Sequence, residues 1–246
     1  STTAGSTLWI QLQKILPYDG APYDFYGSSV DITADGSLIA VVALRDDEKG
    51  AESGSVYMYY RNSSNLYGFT QKIVAKEGAT QDLFGFSLDV DPLGQYMVVG
   101  APHHKVNTSN FAGDAFMFAK LANGTWVEEE LLKPNISHAY DDFGWSVSVS
   151  SNGHVLVGAP LNSDTLKHAG SAYLFQRVYS KKQFHWAELQ ELQASDTSEE
   201  QTFANDVSLS QDGIYGIITA AEDKDAGARA GSGFVFVRKG VACCCE

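Results

Sequence analysis

The body of this 246-residue chain lacks cysteine, because its three cysteines are consecutive near the C-terminal end. A disulfide framework or a cysteine-based metal site in the body is therefore excluded. Basic residues are also few, with 17 Lys and Arg against 30 Asp and Glu and a formal net charge of -13. A chain this acidic repels phosphate backbones, so we predict no nucleic-acid partner. No apolar run approaches the roughly 20 residues that span a bilayer, so no membrane insertion is predicted.

Four similar segments follow one another along the chain. Each begins at a phenylalanine, and successive phenylalanines lie 59, 59 and 60 residues apart. Each segment also has a glycine-containing turn and a second glycine in front of an aromatic-rich run. The starting phenylalanines are Phe25, Phe84, Phe143 and Phe203, and the second glycines are Gly54, Gly113, Gly170 and Gly231. Self-similarity at such a regular period indicates a repeat protein.

Within each segment the hydrophobic pattern is that of β-strands. Residues 146–149 alternate Ser and Val, which is the period of a half-buried strand. The dipeptide Asn152-Gly153 then predicts a tight hairpin, and the apolar run 155–159 fits a strand buried on both faces. An aromatic strand and a fourth strand with alternating charges complete the unit. The sequence therefore predicts an all-β fold of four-stranded antiparallel blades, a β-propeller.

Two of the segments carry the motif of a known family. They read Phe84-Gly85 with Val99-Gly100-Ala101-Pro102, and Phe143-Gly144 with Val157-Gly158-Ala159-Pro160. In these stretches the chain resembles the FG-GAP repeat family, which includes the propeller heads of integrin α subunits. The resemblance extends from about Trp9 to Arg238. It implies a seven-bladed propeller used for adhesion or protein recognition, with no catalysis in the repeats themselves.

The turns between the first two strands of each segment depart from the calcium-binding members of this family. Those members have an aspartate-rich loop there, whereas the turns of this chain are short, and none offers the six or more oxygens that calcium normally takes. Asp89 and Asp91 lie near one turn, where we expect both carboxylates to be solvated. The calcium function is therefore not carried over, and no metal or cofactor is predicted.

The number of blades is a second departure, since four repeats cannot make seven blades. The last repeat stops after its third strand, whereas residues 9–15 look like an orphan fourth strand. We predict that this N-terminal strand completes the last blade and closes a four-bladed ring. Its residues are Trp9, Ile10, Leu12 and Ile15. Two alternatives stay open: the strand completes the last blade of a neighbouring chain in a head-to-tail polymer, or the chain is a piece of a longer polypeptide.

The predicted domain organisation is one four-repeat propeller over residues 1–240, followed by a cysteine-rich tail at 241–246. The repeats lie near 25–75, 84–133, 143–193 and 203–238, with 9–15 as the closing strand. The tail contains Cys243, Cys244 and Cys245. Three roles stay open for these cysteines: they crosslink chains, they carry lipid beside a membrane segment that this chain lacks, or they belong to a disordered end without a role. Adjacent cysteines strain a mutual disulfide, so an intermolecular disulfide is the best functional option.

Four N-glycosylation acceptor motifs, N-x-[ST], indicate the secretory pathway. Every one falls in a predicted loop between strands. The acceptors are Asn62, Asn107, Asn123 and Asn135. The chain begins with Ser-Thr-Thr-Ala-Gly and shows no signal peptide, which agrees with a mature, processed chain. We therefore predict a protein that carries N-linked glycans and lies outside the cell or at the cell surface.

The sequence contains no recognisable catalytic motif. It has no G-x-S-x-G elbow, no H-E-x-x-H and no phosphate-binding glycine loop. The neighbouring His103 and His104 lie in a predicted loop, where we expect a solvated pair rather than a metal site. We therefore predict no enzymatic activity but a module for protein–protein interaction, adhesion or structural assembly, with protein partners or self-assembly as a filament or surface coat. The alternative is a lectin-like propeller that recognises glycans.

Overall fold

The computed structural model describes residues 8–105, 111–136 and 138–240 of the chain. In these ranges it contains fifteen β-strands and no helix, and hence no helix long and apolar enough to cross a membrane. The strands are β1 (Tyr26–Ile32), β2 (Leu38–Ala43), β3 (Ser55–Arg61), β4 (Tyr67–Ile73), β5 (Ser87–Val90), β6 (Tyr96–Ala101), β7 (Asp114–Lys120), β8 (Trp126–Leu132), β9 (Ser146–Val149), β10 (His154–Ala159), β11 (Ser171–Ser180), β12 (Gln183–Leu192), β13 (Phe203–Leu209), β14 (Tyr215–Ala220) and β15 (Ser232–Val237).

The strands form four antiparallel sheets, each built from strands that are consecutive in the chain. Three of these blades have four strands, β1–β4, β5–β8 and β9–β12, and the last described blade has three, β13–β15. The first strands of successive blades contact one another in the order β1, β5, β9, β13 and therefore form the inner side of the assembly. The all-β fold class and its repeated antiparallel blades, predicted from the 59-residue period, are confirmed.

Every blade opens with the same hairpin turn, which explains one set of repeated glycines. In each turn the glycine N–H donates a hydrogen bond to the carbonyl three residues earlier, and the glycine φ lies between +61° and +78°. Glycine adopts this left-handed conformation without the steric cost that a Cβ would add. The four turn glycines are Gly36, Gly94, Gly153 and Gly213.

Neighbouring blades pack face to face through apolar side chains. We call the side of a blade that points to the next blade its front face, and the opposite side its back face. At the first interface, front-face residues Ala40 and Met58 share a buried cluster with back-face residues Val90, Phe116 and Phe118. Equivalent residues meet at the second and third interfaces, so the repeat of the sequence produces a repeated core between blades.

A second set of repeated glycines lets adjacent blades approach closely. A Cβ added to the glycine before the third strand would lie 2.1 Å from a backbone oxygen of the next blade at Gly54, Gly113 and Gly170. That oxygen belongs each time to the phenylalanine that opens the next repeat: Phe84, Phe143 and Phe203. A Cβ on Gly231 of the last blade would meet no described residue closer than 3.4 Å. The repeated glycine and phenylalanine are therefore the two halves of one contact between blades.

The N-terminal segment does not occupy the place predicted for Trp9, Ile10, Leu12 and Ile15. Residues 8–17 form no strand, Trp9 is fully exposed, and the sheet β13–β15 has no fourth strand among the described residues. Ile15 instead packs against the back face of the first blade, where Tyr57 and Tyr59 are buried. The segment takes this position because the first blade offers it an apolar surface and unpaired backbone groups.

Those backbone groups belong to Tyr67, the first residue of β4. The Tyr67 N–H donates to Gln13 Oε1 (2.8 Å), and Gln13 Nε2 donates to the Tyr67 carbonyl (3.0 Å). Gln71 makes the same pair of bonds with Trp126, the first residue of β8, in the next blade. Gln13 therefore stands where the outer strand of a preceding blade would place its glutamine.

Candidate functional site

A cavity of about 350 Å³ lies along the inner strands of the four blades. It is lined by side chains from β1, β5, β9 and β13, and it is the main candidate site for a small ligand. Apart from Gln211 in a turn, the polar residues that line it occupy the same position of each repeat, two residues before the hairpin turn: Asp31, Asp89, Ser148 and Ser208.

These polar side chains form a ladder that joins successive blades. The Val90 N–H donates to Asp31 Oδ2 (2.7 Å), and the Val149 N–H donates to Asp89 Oδ2 (2.6 Å). The Ser148 hydroxyl donates to the same oxygen of Asp89 (2.9 Å) and accepts the Leu209 N–H (3.1 Å). Each rung thus satisfies a backbone donor of the following blade, which fixes the spacing of the inner strands.

Asp89 is the most perturbed group in the cavity. Burial raises the pKa of its carboxyl to about 7, and the negative charge of Asp31 adds to the rise. Burial disfavours the ionised form of a carboxyl, and a second carboxylate nearby has the same effect. Near neutral pH this cavity therefore contains a carboxyl group that can both donate and accept a proton.

The expectation that Asp89 and Asp91 are solvated is therefore corrected. Asp91 is fully buried, and its carboxylate accepts hydrogen bonds from the backbone N–H groups of Leu93, Gln95 and Tyr96. It closes the hairpin turn in the role that the hydroxyl of Ser210 has in the last blade, where it accepts the Tyr215 N–H. Neither aspartate is a free surface charge.

The prediction of a solvated histidine pair is wrong for His104, whereas His103 is only partly buried and lies against Phe111. His104 is buried with Nδ1 2.6 Å from Asp114 Oδ2 and Nε2 3.7 Å from Asp82 Oδ2. Burial opposes the charged imidazolium, but the hydrogen bond and charge of Asp114 outweigh it and raise the pKa of His104. This group lies within the second blade and has no opening to the cavity in the described residues.

Among the described residues, one group of carboxylates is close enough to approach a cation. Asp196, Asp223 and Asp225 offer oxygens within 4.8 Å of one another. Asp223 is already engaged, because it accepts hydrogen bonds from the Gln201 side chain and the Asp225 N–H. The charge of Asp223 raises the pKa of Asp225, which is how unneutralised neighbouring carboxylates behave.

Three of the four predicted glycosylation acceptors lie in the described residues, and all three side chains are exposed. Asn62 lies in the turn between β3 and β4, and Asn123 lies in the equivalent turn of the next blade. Asn135 follows β8, at the opposite end of that strand from Asn123. Asn107 and the cysteines Cys243, Cys244 and Cys245 lie outside the described residues.

The two outermost blade faces expose apolar residues whose counterparts are buried. On the front face of the last blade Val235 is 73% exposed, whereas the equivalent Met58 and Met117 are 0% exposed. On the back face of the first blade Ile32 is 54% exposed, whereas the equivalent Val90 and Val149 are each 4% exposed. The front end face consists of Tyr215, Ile217, Val235 and Val237, and the back end face of Phe25, Val30 and Ile32.

Blades of this topology around a central cavity define a β-propeller-type repeat protein. The profile of the FG-GAP repeat matches the chain four times, at residues 9–59, 67–118, 126–175 and 186–236. The chain therefore belongs to the FG-GAP repeat family, and the resemblance seen in the motifs is confirmed. Each matched unit after the first begins at the outer strand of one blade and ends in the third strand of the next.

Solved structures with a similar fold include a protein from Lactobacillus plantarum, with a TM-score of 0.53 and 15% identity over 85% of this chain and 50% of that one. A periplasmic gluconolactonase of Pseudomonas aeruginosa has a TM-score of 0.51 and 14% identity over 86% of this chain and 53% of that one. The chain thus spans about half the length of both. No curated protein matches the chain.

The gluconolactonase corrects the prediction that the chain is not an enzyme. At 14% identity the likeness shows the fold alone, but it shows that an enzyme is built on this fold. The lack of a catalytic motif in the sequence therefore does not exclude catalysis.

The residues that the sequence interpretation missed are Asp31, Ser148 and the role of Asp89. Their signal is positional, because each lies two residues before the turn residue in its own repeat. Side chains alternate along a strand, and Ile32 and Val90 lie on the back faces of their blades, so Asp31 and Asp89 point forward to the inner strand of the next blade.

Proposed function

We propose that this chain is a glycosylated module that acts outside the cell or at its surface, in protein–protein interaction, adhesion or structural assembly. The observation that carries the proposal is the front end face. Its four apolar side chains are exposed, whereas Met58 and Met117, the counterparts of Val235 in the first two blades, are buried, and exposed contiguous apolar surface is typical of an interaction site. The exposure of Asn62, Asn123 and Asn135 supports the secretory location.

The interaction is tested with two matched variants of the full chain. Val235→Asp places a charge on the front end face, and Leu189→Asp places the same charge on an exposed bulge of β12. After chemical crosslinking at the surface of secreting cells, we expect crosslinked species that Val235→Asp loses and Leu189→Asp retains. Equal crosslinking by both variants would contradict the proposal.

The location is tested by expressing the chain in a eukaryotic secretory host and treating it with an endoglycosidase. We expect a mobility shift that decreases stepwise with Asn62→Gln, Asn123→Gln and Asn135→Gln. A chain that enters the secretory pathway and shows no shift would exclude N-linked glycans as part of the proposal.

The central cavity favours a second candidate function, the binding or hydrolysis of a small polar ligand such as a sugar or sugar lactone. Asp89, with a pKa of about 7, is suited to proton transfer near neutral pH, and Asp31 and Ser148 offer further polar contacts. The gluconolactonase of similar fold makes sugar lactones the first substrates to try.

This second function is tested by following acid release from gluconolactone and by a glycan array. We expect lactone hydrolysis above the uncatalysed rate that Asp89→Asn abolishes and Leu189→Asp leaves intact. Sugar binding without hydrolysis would favour a lectin, and neither activity would exclude the cavity as a sugar site.

A further inference from the structure

The front end face and the back end face correspond to the two surfaces that meet between neighbouring blades. Inside the molecule, a front face meets the back face of the next blade at three places. Met58 shares a cluster with Val90 at the first of these, and Met117 shares one with Val149 at the second. The equivalents of these pairs at the ends of the chain are Val235 and Ile32, which are both exposed.

The glycine contact and the central ladder are also left half-complete at the ends. Among the described residues, a Cβ on Gly231 would meet only backbone of its own blade, at 3.4 Å, where Gly54, Gly113 and Gly170 each approach a phenylalanine carbonyl of the next blade. Ser208, the last position of the ladder, is exposed, and the Ile32 N–H at the other end donates only to the carboxylate of its own neighbour Asp31. Each end of the chain therefore lacks a contact for which the opposite end has the matching group.

The outer strand gives the third complementary pair. Residues 9–15 stand at the outer edge of a blade that would precede the first one, as the contact between Gln13 and Tyr67 shows. In the complete blades an aromatic residue of the outer strand pairs with a basic residue of the third strand: Tyr67 with Arg61, Trp126 with Lys120, and Trp186 with Arg177. In the last blade Arg238 follows β15 and has no such partner strand among the described residues, whereas Trp9 is fully exposed.

We propose that the front end face of one chain binds the back end face of a second copy of this chain, whose residues 9–15 become the fourth strand of the last blade. Trp9 then lies opposite the partner subunit's Arg238. This inference rests on the proposed interaction function and names its partner. The interface is heterologous, so two copies close into one ring if the rotation permits and otherwise continue as a filament.

The test is the mass of the purified full chain by light scattering after size exclusion, under reducing conditions that remove any disulfide through the C-terminal cysteines. We expect the wild type to run at two or more times the 26.6 kDa mass of one chain as its concentration rises. Val235→Lys and Ile32→Glu each place an unpaired charge in the interface, so each variant alone should run as a single chain. Leu189→Lys, away from both end faces, should associate like the wild type.

Mixing the two disrupted variants separates a lost interface from a lost fold. In an equimolar mixture the Lys of one copy faces the Glu of the other, and the second interface of the pair is unchanged, so association should return. Gly231→Ala adds a single methyl group that has room in the free chain, and it should weaken association at least tenfold while leaving the circular dichroism spectrum unchanged.

Two results would overturn the proposal: a wild type that keeps the mass of one chain at every concentration, or a mixture that fails to associate when the wild type does. The first result would leave the proposed interaction function standing if the crosslinked partners still depend on Val235, because the front end face would then serve a different protein. If the crosslinked partners did not depend on Val235, both the association and the proposed interaction function would be contradicted.

Discussion

At the scale of single residues, the inner strands of successive blades are joined by side chains that accept hydrogen bonds from the backbone of the next blade. Asp31, Asp89 and Ser148 each accept an N–H group from the following inner strand. Such bonds matter because a buried N–H group without a partner costs about 1–3 kcal/mol. The carboxyl groups of Asp31 and Asp89 also interact, because the negative charge of Asp31 adds to the rise in the pKa of Asp89.

Asp89→Asn should remove the pH dependence that this carboxyl brings to stability. The folded pKa of about 7 is above the unfolded value of 3.8, so its stabilising contribution is complete below about pH 4 and is lost as the pH rises towards 7. The amide keeps an oxygen for the Val149 N–H and can donate to Asp31. We therefore expect the variant to gain stability relative to the wild type between pH 5 and pH 8, measured by urea unfolding.

The control for this measurement is Asp47→Asn, which removes the same charge from an exposed side chain in a loop. Its difference from the wild type should stay constant over the same pH range. An Asp89→Asn difference that is equally flat would show that Asp89 is ionised in the folded protein and would contradict the carboxyl pair.

At the scale of secondary-structure elements, each blade is joined to the next through its third strand and its outer strand. The third strand begins with a glycine against the next blade, and the outer strand presents a glutamine or glutamate to the start of the next outer strand. Gln71 bonds Trp126 in this way, and Glu130 accepts the Trp186 N–H. These contacts explain why the repeat unit of the sequence crosses from one blade into the next.

Gly113→Ala and Gly231→Ala should differ in their effect on stability although both glycines have positive φ, +79° and +75°. Both substitutions introduce strain of about 1 kcal/mol from the left-handed conformation. Only the Cβ at residue 113 meets a backbone oxygen, at 2.1 Å from that of Phe143. We expect Gly113→Ala to lower the free energy of unfolding by at least about 3 kcal/mol, because the blades must move apart.

This difference is measured by urea unfolding at a protein concentration where the chain is a single molecule, since association would otherwise add to the effect at residue 231. Similar losses for the two variants would mean that backbone strain alone, and not the contact between blades, accounts for the repeated glycine.

At the scale of the whole molecule, we expect the second and third blades to be more stable than the first and last blades. The second and third blades have both faces covered, whereas the first and last blades each have an end face with exposed apolar residues. In a repeat protein the stability of a unit depends on its own core and on its nearest neighbours. The ends are therefore the regions most easily opened.

Hydrogen exchange read out by mass spectrometry should show this order. We expect the amides of β6 and β10 to be the most protected and those of β15, whose outer edge has no partner strand in the described residues, to exchange fastest among the strands. In the associated state β15 should gain protection. Uniform protection of all fifteen strands would indicate a single cooperative unit in place of stacked blades.

The sequence predicted the fold well because each blade repeats local signals. The Asp35-Gly36 and Asn152-Gly153 turns and the apolar runs after them depend only on neighbouring residues. The regular period, for example between Phe84 and Phe143, then indicated that the units have the same fold, and the FG-GAP motif identified the family. The candidate cavity was missed because Asp31 and Asp89 are 58 residues apart and become neighbours only when two blades pack.

The sequence by itself therefore determined the strands, their turns and their number of repeats, because these depend on local conformation and hydrophobic period. The body without cysteine is accounted for by the cores between blades, which tie each sheet to the next without a covalent link. Only the tertiary structure decided that residues 9–15 lie against the first blade and that two end faces stay exposed. Both depend on how the blades are arranged in space, and the motifs that the repeats share do not show which blade faces remain uncovered.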